Sequence, residues 1–268
     1  MSLYGRTADR TTTWDPGRYG RFPGHRSRPF FDLVNRIDAA DPALVVDLGC
    51  GSGELTASLA DRWPDAQVLG VDNSASMLEA ATAHASDRVS FTSGDLSSYL
   101  PDPAADVVVS NAAYQWVDGG SAMLSAIAAQ LPAGGWLAVQ VPGNFQAPSH
   151  RAIGELLATQ RWQQATGGLR LREDPVLEPD GYVELFTAAG LTPDVWETTY
   201  SQLLPGTDPV LEWVKGTALR PVLTAMAADQ REAFLIELSL RLRAAYPPRP
   251  YGTVFAFRRI FAIGHRPG

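Results

Sequence analysis

An aspartate, Asp47, stands near the end of the apolar run "ALVVDL", and three glycines follow at alternate positions, Gly49, Gly51 and Gly53. Glycine-rich turns between a strand and a helix let a ligand approach the backbone closely, most often a phosphate held by N–H groups at the helix start. Here a carboxylate lies two residues ahead of the first glycine. It repels a pyrophosphate and attracts a cation. The dinucleotide fingerprint G-x-G-x-x-G/A needs Gly or Ala where this chain has Glu54, and the phosphate-cradling sequence G-K-[ST] is absent. These residue types suit a ligand with positive charge and no phosphate.

S-Adenosylmethionine has that character. It carries a sulfonium and an α-ammonium, and Asp47 is placed to receive the ammonium directly or through water. The pair Asp72-Asn73 closes the next apolar run. An acidic residue about 20 positions beyond such a loop accepts ribose hydroxyls, a role it shares with nicotinamide enzymes, so Asp72 alone does not discriminate. Met77 lies one helical turn further on, where it packs either on an adenine ring or in the core. Cys50, inside the glycine turn, reads as a small apolar filler.

The elements that must position these residues alternate. A helix is expected from about Pro29 to Ile37, with the proline at its start. Strands are expected at "ALVVDL", "AQVLGVD", "VSFTSGD", "ADVVVSN" and "GGWLAVQVP", with helical patterns between them. This rhythm predicts βαβ units and a doubly wound parallel α/β sheet, whose ligands sit outside the carboxyl ends of the strands. After Pro142 the rhythm changes: residues 143–178 read as short helices or a cover, followed by a helix at "DGYVELFTAAG" and a strand at "DVWETTYSQLL". Two helical stretches between about 207 and 250 then precede a long last strand, "TVFAFRRIFAIGHR". The expected organisation is a flexible tail over 1–13 and a single domain over 14–268, capped by the segments 143–178 and 207–250.

The sequence D-L-G-C-G-S-G at Asp47–Gly53 resembles motif I of the class I S-adenosylmethionine-dependent methyltransferases. That resemblance implies a Rossmann-like sheet of seven strands, the last one antiparallel. It also implies that Asp95 faces the adenine amino group, Leu96 its ring, and Asn111 the sulfonium. The turn "SNAAYQWVD" lacks the prolines of enzymes that methylate amino groups of DNA bases. From Trp14 onward, "WDPGRYGRFPGHRSRPFF", "SNAAYQWV", "VPGNFQAPSH", "DVWETTY", "DPVLEWVKGTALRP" and "FAFRRIFAIGHR" are similar to the trans-aconitate 2-methyltransferases. The family implies methyl transfer to one carboxylate of a tricarboxylate.

A tricarboxylate is ionised at neutral pH, and arginine forks onto carboxylates better than lysine. Arg26, Arg28, Arg220, Arg258 and Arg259 are the candidates. Neighbouring strand residues face opposite ways, so Arg258 and Arg259 do not both line one pocket; the family pattern favours Arg259. Tyr19 and Trp116 are candidate cavity walls. The net charge of −7 opposes a nucleic-acid partner. His25, His84, His150 and His265 have no ligand spacing, so no metal is expected. No apolar run is long enough to span a bilayer, and a lone cysteine fits a reducing compartment, so a cytoplasmic protein is expected; a monomer is the expected state. Methylation of another polycarboxylate and donor binding without turnover are the alternatives.

Overall fold

The computed structural model describes residues 23–172 and 175–268. Two compact units emerge. Among the described residues, one holds 23–143, 175–198 and 258–268, the other 144–172 and 199–257.

The first unit opens with helix α1 (Pro23–Val34) and continues through β1 (Leu44–Leu48), α2 (Glu54–Arg62), β2 (Gln67–Asp72), α3 (Ala75–Ala81), β3 (Val89–Ser93), β4 (Val107–Asn111), α4 (Gly120–Gln130) and β5 (Trp136–Pro142). The alternation is therefore the expected one. Val45, Val46 and Leu48 of β1, the three valines of β4 and Leu137, Ala138, Val139 and Val141 of β5 are all buried. Strands so covered on both faces have no use for polar alternation. Helix α7 (Pro179–Ala188) adds Tyr182 and Phe186 to the same core.

The α1 expectation needs correcting. The helix begins six residues before Pro29, which lies inside it. Residues 23–28 lack apolar periodicity, and Pro29, having no N–H, looks like a helix start although it costs only one backbone rung. Downstream, Phe30, Leu33 and Val34 bury the apolar face.

The second unit contains helices α5 (Pro148–Leu157), α6 (Gln160–Thr166), α8 (Pro209–Lys215), α9 (Arg220–Ala225) and α10 (Ala228–Ala245). Its core is aromatic: Trp213 lies 5.7 Å from Phe255 and 5.3 Å from Phe257, while Trp162 meets Phe234 edge-on at 5.1 Å. The Tyr246 hydroxyl accepts a bond from the Ser149 N–H. Strands β6 (Thr192–Leu204) and β7 (Thr253–His265) each have residues in both units.

All seven strands join one sheet, in the order β3-β2-β1-β4-β5-β7-β6. The neighbours from β3 to β5 are parallel, and β7 runs antiparallel to β5. This is the predicted Rossmann-like topology with an antiparallel last strand. The antiparallel register sets Arg259 opposite Pro142, at the carboxyl end of β5.

Candidate active site

Three glycines in the turn after β1 have positive φ: Gly49 at 86°, Gly51 at 55° and Gly53 at 82°. At Gly49 an added Cβ would stand 2.3 Å from the Cβ of Ala113, so close packing alone demands glycine there. Gly51 is different. A Cβ there meets nothing within 4 Å, so its backbone borders open space, as a ligand cradle must. The Gly51 N–H donates to Asp72 Oδ2 at 3.0 Å, while the Ser74 N–H donates to Oδ1 at 2.8 Å. Two backbone donors thus fix the Asp72 carboxylate at the end of β2 and leave it lone pairs for a diol.

Asp47 is 3% exposed and accepts a bond from the Thr56 hydroxyl at 2.6 Å. Among the described residues it has no cationic partner. Burial, aided by the Asp72 charge and opposed by the Thr56 bond, pushes its pKa up from 3.8 to about 6. A buried carboxylate in this state is stabilised by a positive group brought beside it. The carboxylate and the open glycine turn therefore fit the ammonium-bearing end of S-adenosylmethionine. Burial, reinforced by Asp47 and Asp72, raises the Cys50 thiol well above its ordinary range, which removes its nucleophilic form.

The other expected donor contacts come at or after the ends of β2, β3 and β4. Met77 is buried, its N–H capped by Ser74, and Asn73 is exposed. Leu96 joins the core, whereas Asp95 sits beyond β3 on the surface, its carboxylate accepting from the Ser97 N–H at 2.9 Å. Asn111 closes β4, where its buried Oδ1 has no hydrogen-bond partner among the described residues. Directly after it, Ala112 holds a φ of 56°, and its N–H still bonds the Gln140 carbonyl at 2.8 Å. A non-glycine residue in that conformation is strained, and strain of this kind gathers at functional turns.

The arginines separate. Arg259 is 5% exposed and donates from one guanidinium nitrogen to Gln140 Oε1 at 3.2 Å. Arg258 points to the other face and pairs with Glu178 and Glu197. Arg28 lies exposed on α1, 3.6 Å from Asp32, and Arg220 begins α9 in the second unit. Trp116 is 45% exposed on the short helical turn after β4. Tyr19 and the side chain of Arg26 lie outside the described residues. Sequence reasoning missed Thr56 and Gln140. A lone amide inside the apolar run "WLAVQVP" was the available signal for the latter.

Residues 45–135 match the family described as "Methyltransferase domain". The chain is 50% identical over 264 residues to the trans-aconitate 2-methyltransferase of Streptomyces coelicolor, covering 95% of this chain and 87% of that protein. It belongs to the trans-aconitate 2-methyltransferase family. The Rhodococcus jostii enzyme of that name is 48% identical over 252 residues, with 93% of this chain and 98% of the relative covered. The geranyl diphosphate C-methyltransferase of Streptomyces coelicolor, solved with Mg2+, geranyl-S-thiolodiphosphate and S-adenosyl-L-homocysteine, shares the fold at a TM-score of 0.53. That likeness spans 97% of this chain and 85% of that one at 17% identity. As a member of the trans-aconitate 2-methyltransferase family, the protein is an S-adenosylmethionine-dependent methyltransferase. No helix among the described residues is long and apolar enough to cross a membrane.

Proposed function

We propose that the protein transfers a methyl group from S-adenosylmethionine to one carboxylate of trans-aconitate, giving a monomethyl ester and S-adenosylhomocysteine. One observation carries this reading: two buried charges of opposite sign, Asp47 of β1 and Arg259 of β7, are set on the same sheet. The first suits a cationic donor and the second an anionic acceptor. We assign Asp47, Gly49, Gly51, Gly53, Asp72, Asn73, Met77, Asp95, Leu96 and Asn111 to the donor. Arg259 is assigned to the acceptor, with Tyr19, Arg26, Arg28, Trp116 and Arg220 as further candidates. The enzyme works in the cytoplasm, as a monomer, on a free small molecule and without nucleic acid.

When bound, S-adenosylmethionine supplies a methyl group activated by its sulfonium. Asp47 anchors the ammonium end, and Asp72, held by two backbone N–H groups, takes the ribose. Arg259 holds a carboxylate that does not react, because a guanidinium on the attacking oxygen would lower its nucleophilicity. No side chain needs to act as a base, since the attacking group is already an anion. The buried setting keeps water from a reaction in which opposite charges disappear, which lowers the barrier. Alignment of the reacting atoms contributes on the order of 7–11 kcal/mol in well-oriented systems.

The test is incubation with methyl-labelled S-adenosylmethionine and a panel of di- and tricarboxylic acids. Base-labile label on trans-aconitate is the expected result. Label confined to another acid reassigns the substrate, and tight donor binding without any labelled acid removes the enzymatic reading.

A further inference from the structure

Gln140 is fully buried in β5, between β4 and β7. Its Cα pairs with Asn111 of β4 on one side and with Phe261 of β7 on the other. Arg259 lies two residues from Phe261, hence on the same face of β7, and its guanidinium reaches the Gln140 side chain at 3.2 Å. An arginine can only donate, so the amide oxygen must face it and the amide nitrogen must face away. That nitrogen, Nε2, is buried and has no hydrogen-bond partner among the described residues, and the same is true of Asn111 Oδ1 on the adjacent strand. A buried donor without an acceptor is costly, and its persistence inside an otherwise apolar strand calls for a ligand.

We infer that Gln140 is a specificity residue that touches the acceptor: it orients Arg259 through Oε1 and donates from Nε2 to the same substrate carboxylate. The inference rests on the carboxylate substrate proposed above. A guanidinium and an amide side by side offer one carboxylate two directed donors, one charged and one neutral. The pair holds the carboxylate in a fixed plane without cancelling all of its charge. Arg259 alone would accept an anion in several orientations; with Gln140 in place, the choice of carboxylate becomes geometric. Asn111 Oδ1, an acceptor in the same row, keeps a second anion from occupying its own position.

Two substitutions test this. Gln140→Glu keeps an oxygen for Arg259 but sets an anion where the donor stood; Gln140→Met removes both groups at similar volume. With trans-aconitate, KM should rise about a hundredfold in Gln140→Glu and about tenfold in Gln140→Met. The affinity for S-adenosylhomocysteine should stay within about twofold, since the Asp47 side is untouched. The decisive readout is the ratio of kcat/KM for the tricarboxylate over dicarboxylates that each lack one of its carboxylates. For one of those dicarboxylates, wild type and Gln140→Met should be equal, because the clamped group is gone. A Gln140 that merely props the sheet would lower thermal stability but leave that ratio unmoved, and such a result overturns the inference while wild-type methylation of trans-aconitate upholds the substrate. Wild type inactive on every carboxylate would overturn both.

Discussion

The turn after β1 and the edge where β7 meets β5 both hold a buried charge, yet they are built in opposite ways. In the turn, Asp47, Thr56 and the glycines come from ten consecutive positions, and short-range backbone geometry sets their places. At the β5–β7 edge, Gln140 and Arg259 are separated by 119 positions and meet only because an antiparallel strand inserts in one register. The carboxylate of the turn is buried without a cation among the described residues, whereas the guanidinium at the β5–β7 pairing has an amide oxygen in place. Under the proposed function, the first region suits a positive ligand and the second a negative one.

The largest effect expected from breaking this contrast is at Arg259. Arg259→Ala should raise KM for trans-aconitate by an amount equivalent to about 2–5 kcal/mol, with S-adenosylhomocysteine affinity unchanged in calorimetry. A parallel loss of donor affinity would show that the two regions are not separable.

Asp47 should behave in the reverse sense. A carboxyl raised from 3.8 to about 6 by burial is harder to ionise in the folded chain than in the unfolded one. Its contribution to stability is therefore best below pH 4 and is lost as pH rises through 6, amounting to about 3 kcal/mol above that. Asp47→Asn should accordingly unfold at higher denaturant concentration than wild type at pH 8, while binding the donor product more weakly. A variant less stable than wild type at pH 8 would remove the account of Asp47 as an uncompensated charge.

The same ionisation sharpens the comparison in the wild-type protein. S-Adenosylhomocysteine affinity should fall by up to about tenfold per pH unit below pH 6, because its ammonium needs the ionised carboxylate. A flat profile between pH 5 and 7 would place the ammonium elsewhere. The smallest effect belongs to Arg258, whose exposed partners Glu178 and Glu197 give it the energetics of a surface network. Arg258→Ala should cost less than about 1 kcal/mol and leave KM alone, whereas its neighbour does not.

What could be read from the chain follows the same division. The parallel sheet was legible because buried strands such as β4 are unbroken valine runs between turn residues. The donor turn was legible because glycine spacing and one misplaced carboxylate are local properties. Helix α1 was misplaced at its start, where polar residues carry no period and Pro29 imitates a first turn. Gln140 was overlooked because one amide in a strand means little until the strand beside it is known. The choice between Arg258 and Arg259 came from family resemblance; alternation could say only that the two part ways. Ala112 in a left-handed conformation has no signature in its residue type at all.

β7 occupies a slot between β5 and β6, although β6 precedes it in the chain. A ribosome-bound chain that has emerged only as far as β6 therefore presents the bare flank of β5 to its surroundings, with nothing to occupy it until some fifty further residues follow. By then the strands framing the donor turn are all present. A prematurely terminated product would be a sticky species with an unpaired strand flank, one that synthesis must either complete or hand to the quality-control machinery.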